Sequence, residues 1–119
     1  MHHSGMTPEV STAILRCARL GAVRRRLLID AGLRQVQVTE GCATPFAAVV
    51  RRRAAQSLAA LGLIDLFKTA GVNAWGSRCP GMLHATVTDL GRVVLAAFRH
   101  EIETGKPIRW ARLKAHAAA

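Results

Sequence analysis

The 119-residue chain has no tyrosine, three phenylalanines and two tryptophans. A core with so little aromatic bulk must be aliphatic, and the abundance of alanine favours helices as its scaffold. Acidic residues are also few: seven Asp+Glu face seventeen Lys+Arg, for a formal charge of +10. That sign excludes an acidic nucleic-acid mimic and favours partners that carry negative charge. No stretch approaches eighteen uninterrupted apolar residues, so a membrane-spanning helix is excluded. Met1-His2-His3-Ser4-Gly5-Met6 has no hydrophobic secretory region, and residues 1–7 read as a disordered or tag-like terminus. The cysteines, Cys17, Cys42 and Cys79, are odd in number and widely spaced, with no C-x-x-C pair or zinc-finger pattern. A reduced, cytoplasmic chain is the expectation, with Cys17 as a small buried hydrophobe and Cys79 in a loop.

Catalytic signatures are missing as well. The Gly71–Gly81 stretch lacks the lysine and following helix of a nucleotide-binding loop. The carboxylates are scattered, and none stands at metal-ligand spacing from a histidine. Cys79 and His84, five residues apart along a strand, point to opposite faces. Neither an enzyme nor a metal or other cofactor is expected.

What the sequence does contain is half apolar, enough for one domain with one core. That domain is expected over residues 8–105, followed by a basic C-terminal helix or tail over 106–119. Thr7-Pro8-Glu9 reads as a helix start, and Val10, Ile14, Cys17 and Ala18 recur at helical spacing. A second run, Ala22 to Ala31, stops at Gly32. Two helices meeting at Gly21 or one bent helix both fit, and the glycine favours two. Gln35 to Thr39 alternates like a short strand, and Thr39 to Ala43 reads as a turn.

Thr44-Pro45 repeats the cap-then-proline signature and opens the strongest helix, which ends at Gly62. Phe46, Val50, Ala54, Leu58 and Leu61 form one apolar stripe along it. The opposite face carries Ala48, Arg52, Gln56 and Ala59, with Val49 beside it and Arg51 and Arg53 on the flanks. From Leu63 to Thr69, and again from Met82 to Val87, the period becomes two, which predicts a hairpin around a Gly/Pro-rich loop. Thr88-Asp89 caps a further helix in which Leu90, Val94, Ala97 and Phe98 share a face. Gly105 ends that helix, with Pro107 just beyond. The fold class expected is α+β, mostly α.

This order resembles a winged helix-turn-helix, particularly regulators of the MarR and ArsR type, over about residues 22–105. Two segments carry the resemblance. Ser57-Leu58-Ala59-Ala60-Leu61-Gly62-Leu63-Ile64 matches a recognition helix passing through glycine into the first wing strand. Ala85-Thr86-Val87-Thr88-Asp89-Leu90-Gly91-Arg92 matches the second wing strand entering the next helix. The resemblance implies a wing sheet of two or three strands, and a short helix and turn between Gly32 and Thr44. It also implies sequence-specific binding of double-stranded DNA by a small transcriptional regulator, with helix 44–62 in the major groove and hairpin 63–88 as the wing.

On that basis Arg51, Arg52 and Gln56 are candidates for base or phosphate contacts, since arginine pairs with guanine and glutamine with adenine through two hydrogen bonds. Ala48, Val49 and Arg53 lie on the same surface. Thr44 at the helix N-terminus is placed to join backbone N–H groups in holding a phosphate. Lys68 and Arg78 flank the wing near the sugar-phosphate backbone, and Trp75 falls at its tip. Arg24-Arg25-Arg26 reads as a solvated helix face or a further phosphate contact. A homodimer is expected, because two half-sites raise affinity and specificity, in the cytoplasm and associated with the nucleoid. Helix 8–20 and the helices over 89–104 and 107–118 are its expected surface. The alternative is a winged-helix protein-interaction module in a larger nucleic-acid-associated assembly, where the arginine face or Trp75 meets a protein partner.

Overall fold

A computed structural model of the chain describes residues 20–69, 71–72, 75–79, 81–110 and 112–113. The helix expected over 8–20, Cys17 and the terminal residues 114–119 lie outside the described residues, except Leu20, which is buried. In chain order the elements are α1 (Ala22–Leu33), β1 (Val36–Gln37), α2 (Pro45–Ala60), β2 (Ile64–Lys68), β3 (Gly71–Val72), β4 (Arg78–Cys79), β5 (Leu83–Val87), α3 (Asp89–Ala97) and α4 (Arg99–Thr104). The fold is α+β. Its antiparallel sheet has the order β1–β5–β2, and β3 pairs with β4 as a separate two-stranded ribbon between β2 and β5 in the chain.

Helix α1 follows Gly21 and buries Leu27, Leu28 and Ala31. It runs through Gly32, where the sequence suggests a stop. The glycine serves packing there: a Cβ would stand 2.5 Å from the Leu95 side chain of α3. Beyond it, Val36 and Gln37 pair with Ala85 and His84, so the alternating stretch is a strand. Turns closed by Glu40 N–H to the Gln37 carbonyl (3.0 Å) and Cys42 N–H to the Thr39 carbonyl (3.1 Å) lead into α2. The short helix implied by the resemblance is therefore replaced by β1 and two turns. Alternation and Gly41, at φ +75, leave no helical period to support one.

Helix α2 opens as its sequence suggests, with the Thr44 hydroxyl accepting the Ala47 N–H at 3.1 Å and proline in the first turn. Its apolar stripe is buried only in the second half, at Ala54, Ala55 and Leu58, continuing to Leu61. Phe46 belongs to the stripe by spacing, yet it is 76% exposed. Burial needs close packing across from the stripe, and Phe46 instead borders an open groove shared with Val23 of α1.

The two segments that carry the family resemblance converge in space. The Thr88 hydroxyl donates to the Gly62 carbonyl at 2.6 Å and accepts the Gly91 N–H at 3.0 Å, while Thr88 N–H donates to the Leu63 carbonyl at 3.1 Å. Gly62 has φ +81. A Cβ on Gly91 would lie 2.1 Å from the Leu63 carbonyl oxygen. The threonine and both glycines thus fasten the end of α2 to the start of α3 at a distance only glycine allows.

The helix expected over 89–104 is broken at Phe98 (φ −125, ψ 32) into α3 and α4. The break accompanies burial of Leu95, Phe98 and Ile102 together. The segment after Gly105 also enters the core. Ile108, Trp110 and Leu113 are buried, and Trp110 packs edge-on against Phe98 at 5.6 Å. Among the described residues no helix is long and apolar enough to cross a membrane.

Candidate functional site

Among the described residues, the outer face of α2 groups several exposed side-chain donors on one helix. Arg52, Arg53 and Gln56 are exposed, Ala48 and Val49 are half-buried, and Thr44 is exposed at the helix start. No ion pair occupies Arg52 or Arg53 among the described residues. This follows from the repeat of the helix: with Ala54, Ala55 and Leu58 held in the core, positions 52, 53 and 56 turn outward.

Arg51 does not join them. Its Nε donates to the Val38 carbonyl at 2.9 Å, and its terminal nitrogen lies 3.9 Å from Asp30 with the side chain 16% exposed. It ties α1 and the turn after β1 to α2, so its expected place among surface contacts is corrected to a structural one. The same holds for much of Arg24-Arg25-Arg26. Arg24 donates to the Ser57 hydroxyl at 3.2 Å, joining α1 to α2. Arg25 donates to the Ile102 carbonyl at 3.0 Å, and Arg26 pairs with Asp30 at 3.4 Å. The partners of Arg24 and Arg25 are distant in sequence, and periodicity alone does not reveal them, whereas Arg26 and Asp30 are one helical turn apart.

Three of the six described carboxylates are spent on other arginines. Asp30 faces Arg26 and Arg51, Glu40 pairs with Arg34, and Glu103 pairs with Arg99 at 2.8 Å. The hydrogen bond and charge of Glu40 raise the Arg34 guanidinium above its usual range. Neutralisation there leaves the α2 face as an uncompensated cationic surface. Lys68 is exposed at the end of β2, and Arg78 stands in β4 opposite Val72. Arg92, Lys106, Arg109 and Arg112 are exposed as well. The last three read in sequence as part of a basic tail, and packing of Ile108, Trp110 and Leu113 is what holds them against the domain.

Beside the cationic face, an open groove of about 520 Å³ is lined chiefly by Val23, Cys42, Ala43, Phe46, Ala47 and Val50. Chemically, the α2 face offers guanidinium forks and an amide to anionic or hydrogen-bonding surfaces, with apolar contact at its N-terminal end. Comparisons of the chain with protein-family models, curated proteins and solved structures give no match.

Proposed function

We propose that the chain is a winged-helix protein that binds double-stranded DNA, with α2 as the reading helix and the β2–β5 hairpin as the wing. The observation that carries this reading is the placement of α2. It follows β1 and precedes β2 in the chain, anchors through its C-terminal half, and offers Arg52, Arg53 and Gln56 outward. A helix that keeps one face in the core and offers donors on the other suits entry into a major groove. In this reading α1 supports α2 directly, through the Arg24 and Arg51 contacts, in place of an intervening helix. Arg52 and Gln56 address base edges, while Arg53, Lys68 and Arg78 address phosphates. A small transcriptional regulator acting as a homodimer is the role that fits this chemistry.

A second reading is favoured by one observation. Phe46 is 76% exposed beside the apolar groove, as an anchor residue at a protein interface would be. One experiment separates the two: anisotropy of a labelled duplex of mixed sequence, titrated at low salt with purified protein whose mass is followed by sedimentation. The DNA reading expects direct binding by the chain alone, as a dimer at micromolar concentration. Binding that appears only when a partner protein is added favours the second reading.

A further inference from the structure

Three cations that neither the fold nor the α2 face uses stand on the stretch 105–113. Gly105, at φ +77, ends α4 and turns the chain. Beyond it Ile108, Trp110 and Leu113 are buried, while Lys106, Pro107, Arg109 and Arg112 are exposed. The backbone accounts for the pattern. Arg112 N–H donates to the Arg109 carbonyl at 3.0 Å, and Leu113 N–H donates to the Trp110 carbonyl at 2.9 Å. Such i to i+3 turns set side chains three apart one above the other. Trp110 and Leu113 therefore enter the core together, and Arg109 and Arg112 leave it together.

The charge is not offset within the stretch. Lys106, Arg109 and Arg112 have no ion pair among the described residues. Residues 105–113 contain no carboxylate, and Glu103 just before them is paired with Arg99 at 2.8 Å. What the surface lacks defines its partner. A protein interface buries an apolar core, yet here Ile108, Trp110 and Leu113 all face inward. Single strands are gripped by aromatic rings that stack on bases, and Trp110, the one aromatic of the stretch, is 4% exposed. Cations alone suit the phosphate backbone of a duplex.

This surface lies across α1 from α2. Around α1, Arg24 and Asp30 mark the side that meets α2, at Ser57 and Arg51. Gly32, packed on Leu95, and Arg25, bonded to the Ile102 carbonyl, mark the side that meets α3 and α4. Gly105, at the head of the stretch, abuts the Arg25 guanidinium. At about 100° per residue these two sides of α1 are about 150° apart. By the same count Arg52 and Gln56 leave α2 on its side opposite α1.

We infer that the stretch 105–113 is a second phosphate-binding surface, where Lys106, Arg109 and Arg112 hold a second duplex segment while α2 holds the first, so that the protein bridges DNA. The inference rests on the DNA-binding reading above. A single straight duplex does not reach both surfaces, because α1 and the core stand between them.

The test is capture of a labelled duplex by protein already bound to a different, bead-immobilised duplex at about 50 mM salt. The parent retains the labelled duplex. Lys106→Ala/Arg109→Ala/Arg112→Ala, which melts like the parent because these side chains are exposed, keeps its affinity for the immobilised duplex within about twofold and loses capture about tenfold or more. The charge-conserving Lys106→Arg/Arg109→Lys/Arg112→Lys restores capture. An alanine variant that captures like the parent overturns the inference, as does a parent that holds the first duplex and captures no second. Both results leave the DNA reading standing. An alanine variant that loses the immobilised duplex as well puts helix and stretch on one duplex and equally overturns the bridge. A parent that binds no duplex at all defeats the DNA reading, and the bridge with it.

Discussion

Raising the salt from about 50 to 200 mM is expected to cost the protein about 10³-fold in duplex affinity. The magnitude follows from the cations that the proposed docking of helix and wing brings to phosphate. Arg51 is held by Val38 and Asp30, and Arg24, Arg25 and Arg26 are engaged within the fold. In the proposed docking Arg53, Lys68 and Arg78 meet phosphate, three for each protomer and six for a symmetric pair. Each neutralised phosphate contributes about −0.9 to the slope of log affinity against log salt. Six contacts over a fourfold change in salt give a loss of about 10³, and three give about 40-fold. The titration therefore reports the number of reading units as well as the nature of the partner. A flat response places affinity outside phosphate contacts and speaks for an apolar interface such as the groove at Phe46.

The largest expected effect on stability comes from truncating one leucine. Leu58 is fully buried on α2, and Leu58→Ala removes its packing and leaves a cavity, a loss of about 2–5 kcal/mol. A domain of this size has a stability of only about 5–15 kcal/mol, so the change is visible in any denaturant or thermal melt. Phe46→Ala, three helical turns earlier on the same stripe, is expected to change stability by no more than about 0.5 kcal/mol, because its side chain lies in solvent. The contrast measures the rotation and overhang of α2 together. Equal losses at the two positions mean that the first turn is packed in the native protein and the outward face of the helix lies elsewhere.

Local signals in the sequence were sufficient where structure is decided locally. Thr44-Pro45 and Thr88-Asp89 cap helices as their chemistry requires. Gly62 and Gly105 take the positive φ at which their helices end, and the period-two stretches at 64–68 and 83–87 are paired strands. The sites of failure share a cause: the deciding partner lies far along the chain. Spacing puts Phe46 and Leu58 on one stripe, but tertiary packing determines which of them is covered. Gly32 reads as a helix stop until Leu95 arrives beside it. Arg51 looks identical to Arg52 and Arg53 in sequence, and the Val38 carbonyl and Asp30 single it out. Trp110 and Leu113 resemble parts of a basic tail, and the Phe98 ring gives Trp110 its place in the core. Arginine runs are the hardest to read, since a guanidinium serves a carbonyl within the fold as well as a phosphate outside it.

The central claim, that the outer face of α2 reads duplex sequence, is tested most directly by selecting bound duplexes from a randomised library with the parent and with Arg52→Ala. The account predicts that the parent enriches a defined sequence. It also predicts that Arg52→Ala relaxes the preference at one position, with a loss of about 1–3 kcal/mol on the parent's preferred duplex. An Arg52→Ala protein that enriches the same sequence with the same discrimination would contradict it.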